Sequence, residues 1–257
     1  MGTRAPRHNT TRAFGRTSAI VTLTVSLSTV TIAAPAGGQV LIGMLFGGAV
    51  ASETFNIGFE IGMNLSTVDG LNGASVARGS LLGLFGSWRF SEHYHLYTAV
   101  LPLSNKGAKD ADPLALNDST LDPIVATGTM ARDLSYLDIP VLLQLAQRRD
   151  GGFRIGVGPQ VGILLSAKDR YAGATPQGAR VVVENDIEDS VQRFDAGVAF
   201  DTEYRFAAIP LAIGLRYYYG LTDTTRGSGP ALHNHVLSGS GRIALGASRQ
   251  KPPEPKQ

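Results

Sequence analysis

The segment "VQRFDAGVAFDTEYRF", Val191 to Phe206, alternates between two kinds of residue over its whole length. Phe194, Ala196, Val198, Phe200, Thr202, Tyr204 and Phe206 share one parity, and Arg193, Asp195, Gly197, Ala199, Asp201, Glu203 and Arg205 share the other. A period of two argues a strand between two opposite environments, because a helix would repeat its apolar positions every three or four residues. The run is longer than the roughly five or six residues of most strands in soluble domains. It is long enough for the about 9 to 11 residues that a tilted strand needs to cross a bilayer. In a membrane barrel the apolar parity meets lipid and the charged parity meets a polar interior.

The same pattern recurs along the chain. Eight segments are expected as strands: Phe55 to Asn64, Gly79 to Phe90, His93 to Ser104, Asp133 to Ala146, Gly152 to Leu165, Val191 to Phe206, Ile209 to Gly220, and His233 to Gly246. The connections after the second, fourth and sixth are brief ("SEH", "QRRDGG", "AA"), while those after the odd-numbered strands are long and polar, notably Asn105 to Arg132 and Ser166 to Ser190. Short turns on one side, long loops on the other and an even strand count describe an eight-stranded antiparallel up-and-down transmembrane β-barrel. Parity is clear in most segments: Phe59, Ile61 and Met63 oppose Glu60, Gly62 and Asn64, and Leu137, Ile139 and Leu143 oppose Tyr136, Asp138 and Gln144. The third and eighth segments have no clean phase.

The polar parity collects an interior charge set: Glu60, Asp138, Asp195, Asp201 and Glu203 against Arg89, Arg154, Arg193, Arg205, Arg216 and Arg242. An eight-stranded barrel is only wide enough for its own side chains. Charges packed there need partners, since stranding one costs several kcal/mol, so the expectation is a filled, salt-bridged lumen rather than a pore. Aromatic residues fall near both strand ends, with Phe55, Trp88, Phe90, Phe153, Tyr204 and Phe206 on the short-turn side and Phe194, Tyr217 and Tyr219 on the other. Such belts suit the two membrane interfaces.

Composition agrees with export. Arg4, Arg7, Arg12 and Arg16 precede an uncharged stretch from Ser18 to Ala34 and the small residues "AAPAGG", the layout of a signal peptide over residues 1–36. Residues 37–54 form a short segment before the barrel, 55–246 the barrel, and 247–257 a polar, proline-rich tail. Losing those four arginines, in a stretch without Asp or Glu, takes the formal net charge from +2 to −2, so the mature chain gives no reason to expect nucleic acid. With no cysteine, disulfide frameworks, thiolate metal sites and thiol nucleophiles are excluded.

Candidates for chemistry are weak. His93 with His95, and His233 with His235, are spaced to share a strand face, but no third ligand accompanies either pair. Asp223, Ser228 and His233 lie close enough in sequence to be weighed as a hydrolase constellation, without a motif. "GVGPQVG" lacks the spacing and context of a dinucleotide fingerprint, and in a strand its glycines make room for bulky lumen neighbours. No cofactor, metal or catalytic residue is therefore expected.

"YLDIPVLLQL" (Tyr136 to Leu145), "GPQVGILLSAK" (Gly158 to Lys168), "LSNKGAK" (Leu103 to Lys109), "GLRYYYGLTD" (Gly214 to Asp223) and "QVLIGMLFGG" after the signal resemble the PorT-like outer-membrane β-barrel family ("porin family protein") of Bacteroidota-type bacteria. The resemblance implies an eight-stranded barrel in the outer membrane, without a catalytic mechanism, and by analogy a place in a secretion or surface complex. The chain departs from such barrels in its end, "GRIALGASRQ" followed by "KPPEPKQ", which has no terminal aromatic residue. The expected partners are outer-membrane lipid and proteins reached through the loops Asn105 to Arg132 and Ser166 to Ser190. Two alternatives stay open at this level: a soluble, exported, lipocalin-like barrel with the apolar parity turned inward, and an outer-membrane hydrolase.

Overall fold

The computed structural model describes residues 54–115, 121–125, 128–148, 151–175, 178–227 and 230–245, all within the unit Ile42–Gln257. The expected signal peptide, the tail, Ser228 and all but the last residue of the 37–54 segment lie outside the described residues. Among those described, the strands are β1 (Phe55–Asp69), β2 (Ser75–Arg89), β3 (Tyr94–Ala111), β4 (Thr129–Ala146), β5 (Gly152–Ala174), β6 (Arg180–Asp186), β7 (Phe194–Arg205), β8 (Leu211–Gly220) and β9 (His233–Leu245). One helical turn, α1 (Asp122–Val125), lies between β3 and β4, and a 3-10 turn, Glu188–Ser190, lies between β6 and β7.

Eight of these strands close a ring. Each pairs antiparallel with its neighbour in the order β1-β2-β3-β4-β5-β7-β8-β9, and β9 returns to β1 through Ile57↔Leu245 to Asp69↔His233. Closure leaves no strand edge within the ring, the condition for placing a sheet in hydrocarbon, where no water is present to satisfy backbone amides. The remaining strand, β6, pairs with the far end of β5 from Lys168↔Asp186 to Ala174↔Arg180 and forms a hairpin beyond the ring.

The apolar parity faces outward all round. Ile61, Met63, Leu84, Trp88, Leu143, Ile155, Phe200, Ile213, Leu215 and Ile243 are exposed, whereas Glu60, Asp138, Asp201, Glu203, Arg216 and Arg242 are buried. This overturns the lipocalin-like alternative, which needs the reverse. A continuous apolar band of this extent far exceeds what soluble monomers leave open to water, and it matches the band of about 25 Å that membrane barrels offer to lipid. The aromatic ends follow: Trp88 lies tilted against Phe90, with 5.4 Å between centroids, and Phe153, Tyr204 and Phe206 form a chain of edge contacts at 4.9 and 5.1 Å.

Three expected boundaries change. The strands run further on the long-loop side than the period-two pattern indicates: β1 and β2 leave only residues 70–74 between them, and much of Asn105 to Arg132 and Ser166 to Ser190 is strand. Second, β3 changes phase at a bulge. Leu101 pairs with Asp138 but Ser104 pairs with Tyr136, so three residues of β3 oppose two of β4. Pro102 and Leu103 both face outward there, and Pro102, which has no amide hydrogen to give a ladder, sits where a bulge tolerates it. Third, β7 starts at Phe194, not Val191. The 3-10 turn and the bridge Val191↔Thr225 bend the chain just before the strand, which turns Val191 inward and leaves Arg193 exposed.

Candidate functional site

The lumen is built from the inward parity, and its polar residues fall into three tiers. The middle tier joins five strands through two arginines. Arg242, on β9, donates from Nε to Glu60 Oε1 (3.1 Å), from Nη2 to Asp201 Oδ1 (2.6 Å) and from Nη1 to Glu203 Oε2 (2.8 Å). Arg216, on β8, reaches Glu60 Oε1 at 3.2 Å and Asp201 Oδ1 at 3.3 Å. The Tyr97 hydroxyl donates to Glu60 and accepts from Arg216, and its ring lies under the Arg242 guanidinium with 4.6 Å to the centroid. Charge-assisted bonds of this kind are the strong ones. Their buried setting makes completeness essential, because an unpaired charge in low dielectric is costly.

The tier nearer the long loops centres on Lys106. Its ammonium lies 2.8 Å from Asp138 and 3.9 Å from Asp195, between the rings of Tyr136 and Tyr218 at 4.6 and 4.8 Å. Tyr218 and Asn234 also donate to Asp195, at 2.7 and 2.8 Å, and Ser104 donates to Asp138 at 2.7 Å. Sequence reasoning missed Lys106 because it falls within the segment expected as a loop. Pro102 was the available signal: a proline inside an alternating run points to a bulge, after which even-numbered residues of β3 face inward.

The tier at the short-turn end holds Arg89, His95, Gln144, Arg154, Glu203 and Arg205, with Arg89 paired across from His95, His95 from Gln144, and Arg154 from Glu203. Glu203 accepts from Arg205 at 3.3 Å and has Arg154 at 3.7 Å. Of the interior charges named from the sequence, Glu60, Asp138, Arg154, Asp195, Asp201, Glu203, Arg216 and Arg242 are buried, Arg89 and Arg205 are half-exposed at strand ends, and Arg193 is outside the lumen. Inward glycines make space as the "GVGPQVG" reading expects. A methyl group on Gly162 would stand 2.8 Å from Asp138 Oδ1, and one on Gly214 2.9 Å from the Arg242 Cζ.

Beyond the Lys106 tier the interior turns apolar. Val68, Leu71, Ala108, Ala111, Met130, Tyr171 and Leu232 pack into one buried cluster contributed by β1, β3, β4, β5 and two connections. Arg132 and Asp169 close a two-pronged ion pair beside it, at 2.8 and 2.7 Å.

Among the described residues the chemical candidates form no metal or catalytic centre. His95 is buried inside the barrel while His93 is exposed in the preceding turn, so that pair shares no face. His235 packs outward against Tyr219, with 4.7 Å between centroids, and His233 bonds through Nδ1 to the Thr222 carbonyl at 3.1 Å. Among the described residues no group of three metal-ligating side chains converges. Asp223 is occupied as a loop staple, accepting from the Leu232 and Thr225 amides at 2.9 and 2.8 Å. Those amides hold its carboxyl below the ordinary aspartate range.

A closed antiparallel ring with a lipid-facing apolar band and a charged, packed interior defines an integral membrane β-barrel. The family model described as "Outer membrane protein beta-barrel domain" matches residues 49–226, and the chain belongs to that family. The protein is located in the cell outer membrane. No curated protein matches it. Among solved structures it is similar to Ail, the attachment invasion locus protein of Yersinia pestis, crystallised with the heparin analogue sucrose octasulfate (9% identity, 75% of this chain and 99% of that one, TM-score 0.37). It is also similar to Neisserial surface protein A (10%, 76% and 98%, 0.36) and to OprG from Pseudomonas aeruginosa (11%, 74% and 95%, 0.35). The family match carries the assignment.

Proposed function

We propose that this protein is a non-catalytic, non-conducting outer-membrane barrel that works as a structural and interaction protein through its outer hairpin and loops. The observation that supports this reading is the lumen, filled by interlocked ion pairs and capped on the long-loop side by the apolar cluster around Met130 and Tyr171. A solute path would have to break both, and opening buried ion pairs costs several kcal/mol each. The long-loop side of such barrels faces outward, which leaves β6 and the loops in the 105–132 and 166–190 segments as the surface available to partners. Within this reading the chain is of the PorT-like type of Bacteroidota-type bacteria, its signal is removed near Ala36, and its loops dock onto a secretion or surface complex. Planar-bilayer recording with the full chain is expected to show no current steps above the lipid baseline. Discrete ohmic steps overturn the sealed lumen. A photo-crosslinker at Val182 is expected to give adducts in intact cells that one at lipid-facing Leu215 does not.

A further inference from the structure

The three tiers are not equally balanced. In the middle, Glu60 and Asp201 meet Arg216 and Arg242. At the short-turn end, Glu203 is the only carboxylate against which Arg154 and Arg205 are set among the described residues, and it is already bonded to Arg242. A second observation coincides with this surplus. Among the described residues, Nε and Nη1 of Arg154 have no hydrogen-bond partner, nor do either ring nitrogen of His95, Oε1 of Gln144 or Oγ of Ser87. Arg154 is 4% exposed and His95 2% exposed, so water does not make up the deficit from outside. Native interiors leave few buried polar groups unpartnered, and each needs a reason.

These groups form one arc of the wall. Ser87 and Arg89 on β2 lie next to His95 on β3, His95 next to Gln144 on β4, and Arg154 on β5 next to Glu203 on β7. Arg89 and Arg205, the final residues of β2 and β7, border the arc on the short-turn side and are half-exposed. The exposed surface nearest the arc is therefore on the short-turn side, while the apolar cluster closes the other end.

The unmet valences specify the ligand. Arg154 offers donors in the planar fork that suits oxyanions. Gln144 Oε1 is an acceptor, a neutral histidine offers one donor and one acceptor, and a serine hydroxyl does either. A monoprotonated oxyanion has both oxygens to accept and a hydroxyl to donate, whereas chloride and sulfate have no proton to give. We propose that the short-turn end of the lumen binds a phosphate group, as hydrogen phosphate or a phosphate monoester, between Arg154 and Arg205 beside His95 and Gln144.

The test uses the full mature chain folded in nonionic detergent, with folding checked by faster migration of the unboiled sample. Calorimetric titration with inorganic phosphate at constant ionic strength is expected to show saturable binding, at least tenfold tighter than sulfate. Arg154→Gln is expected to weaken it at least tenfold and Arg205→Gln several-fold. Arg205→Gln keeps the test open if the more buried substitution prevents folding, because Arg205 lies at the rim. Displacement of phosphate by dihexanoyl phosphatidic acid makes a lipid headgroup the source, and its failure to displace makes it a soluble phosphate. Either supports the site. Absence of saturable phosphate binding by the folded chain, equal affinity for sulfate, or unchanged binding in a folded Arg205→Gln variant overturns it.

Discussion

The spanning ring and the β5–β6 hairpin beyond it are built from the same strand chemistry, yet the same interaction has different weight in each. Lys168 and Glu184 on the hairpin approach to 2.6 Å with each side chain 46% exposed, while Arg242 and Glu60 stand 3.1 Å apart with almost no exposure. Distance alone would rank the hairpin pair first. Water reverses the ranking: an exposed pair exchanges hydration for a contact of nearly equal free energy, whereas a buried pair has no hydration to return to when one partner is removed. Apolar residues obey the same contrast. Leu215 on the ring and Val182 on the hairpin are 52% and 54% exposed, but one is solvated by lipid and the other by water.

The largest effect is expected from Arg242→Leu, which leaves Glu60, Asp201 and Glu203 without their shared cation. A loss of roughly 3–5 kcal/mol should appear in urea unfolding from phospholipid vesicles, followed by the fluorescence of Trp88, the single tryptophan. An unchanged midpoint would mean that the lumen is hydrated and the network dispensable. Next is the matched pair Leu215→Arg and Val182→Arg. The first should cost about 2–4 kcal/mol, as for a charge near the bilayer midplane. The second should stay within about 0.5 kcal/mol, as for a water-exposed surface site. Equal effects would erase the distinction between ring and hairpin. Gly214→Ala should cost about 1–3 kcal/mol by pushing into the Arg242 guanidinium, and should lose that cost in an Arg242→Leu background.

Smaller effects are expected outside the membrane. Glu184→Gln should leave the urea midpoint unchanged, because its partner Lys168 returns to water. Asp223 offers a pH-dependent measurement. Its folded-state pKa is lowered, mainly by the Leu232 amide and then by the Thr225 amide. Its contribution to loop order is therefore complete above the ordinary aspartate value and is lost as pH falls through the lower folded one. Amide exchange at Leu232 and Thr225, normalised to the intrinsic rate, should stay protected down to about pH 4 and lose protection below it. Loss of protection already at neutral pH in Asp223→Ala, which removes the accepting oxygen, would be the matching result.

The parts of the fold that could be read from the chain are those where hydropathy contrast is strong. Phe59, Ile61 and Met63 against Glu60 and Asn64 place β1 without ambiguity, and β4, β5 and β8 read equally well. In β9 the inward Ser238 and Ser240 face away from the outward Gly239 and Gly241, so small residues on both sides give no contrast. In β3 the bulge at Pro102 and Leu103 reverses parity midway, so neither phase fits the whole strand. A second bulge in β5, where Ser135 pairs with Ser166 but Tyr136 with Leu164, likewise hid the inward turn of Ala167, Asp169 and Tyr171. Strand extensions above the membrane were invisible for a different reason: their outer face, with Lys168, Arg170 and Glu184, meets water instead of lipid, so the contrast that marks a lipid-facing strand is lost there.

By itself the sequence determined that the chain closes a barrel of alternating strands, which residues meet lipid, and that the interior must balance its charge, because each follows from a local period of two imposed by lipid on one side. Only the tertiary structure decided who pairs with whom. Arg242 meets carboxylates from β1 and β7, Lys106 those of β4 and β7, and Arg193 none within the lumen. Those choices depend on register, bulges and closure, which bring together residues up to 182 positions apart and which no local pattern encodes.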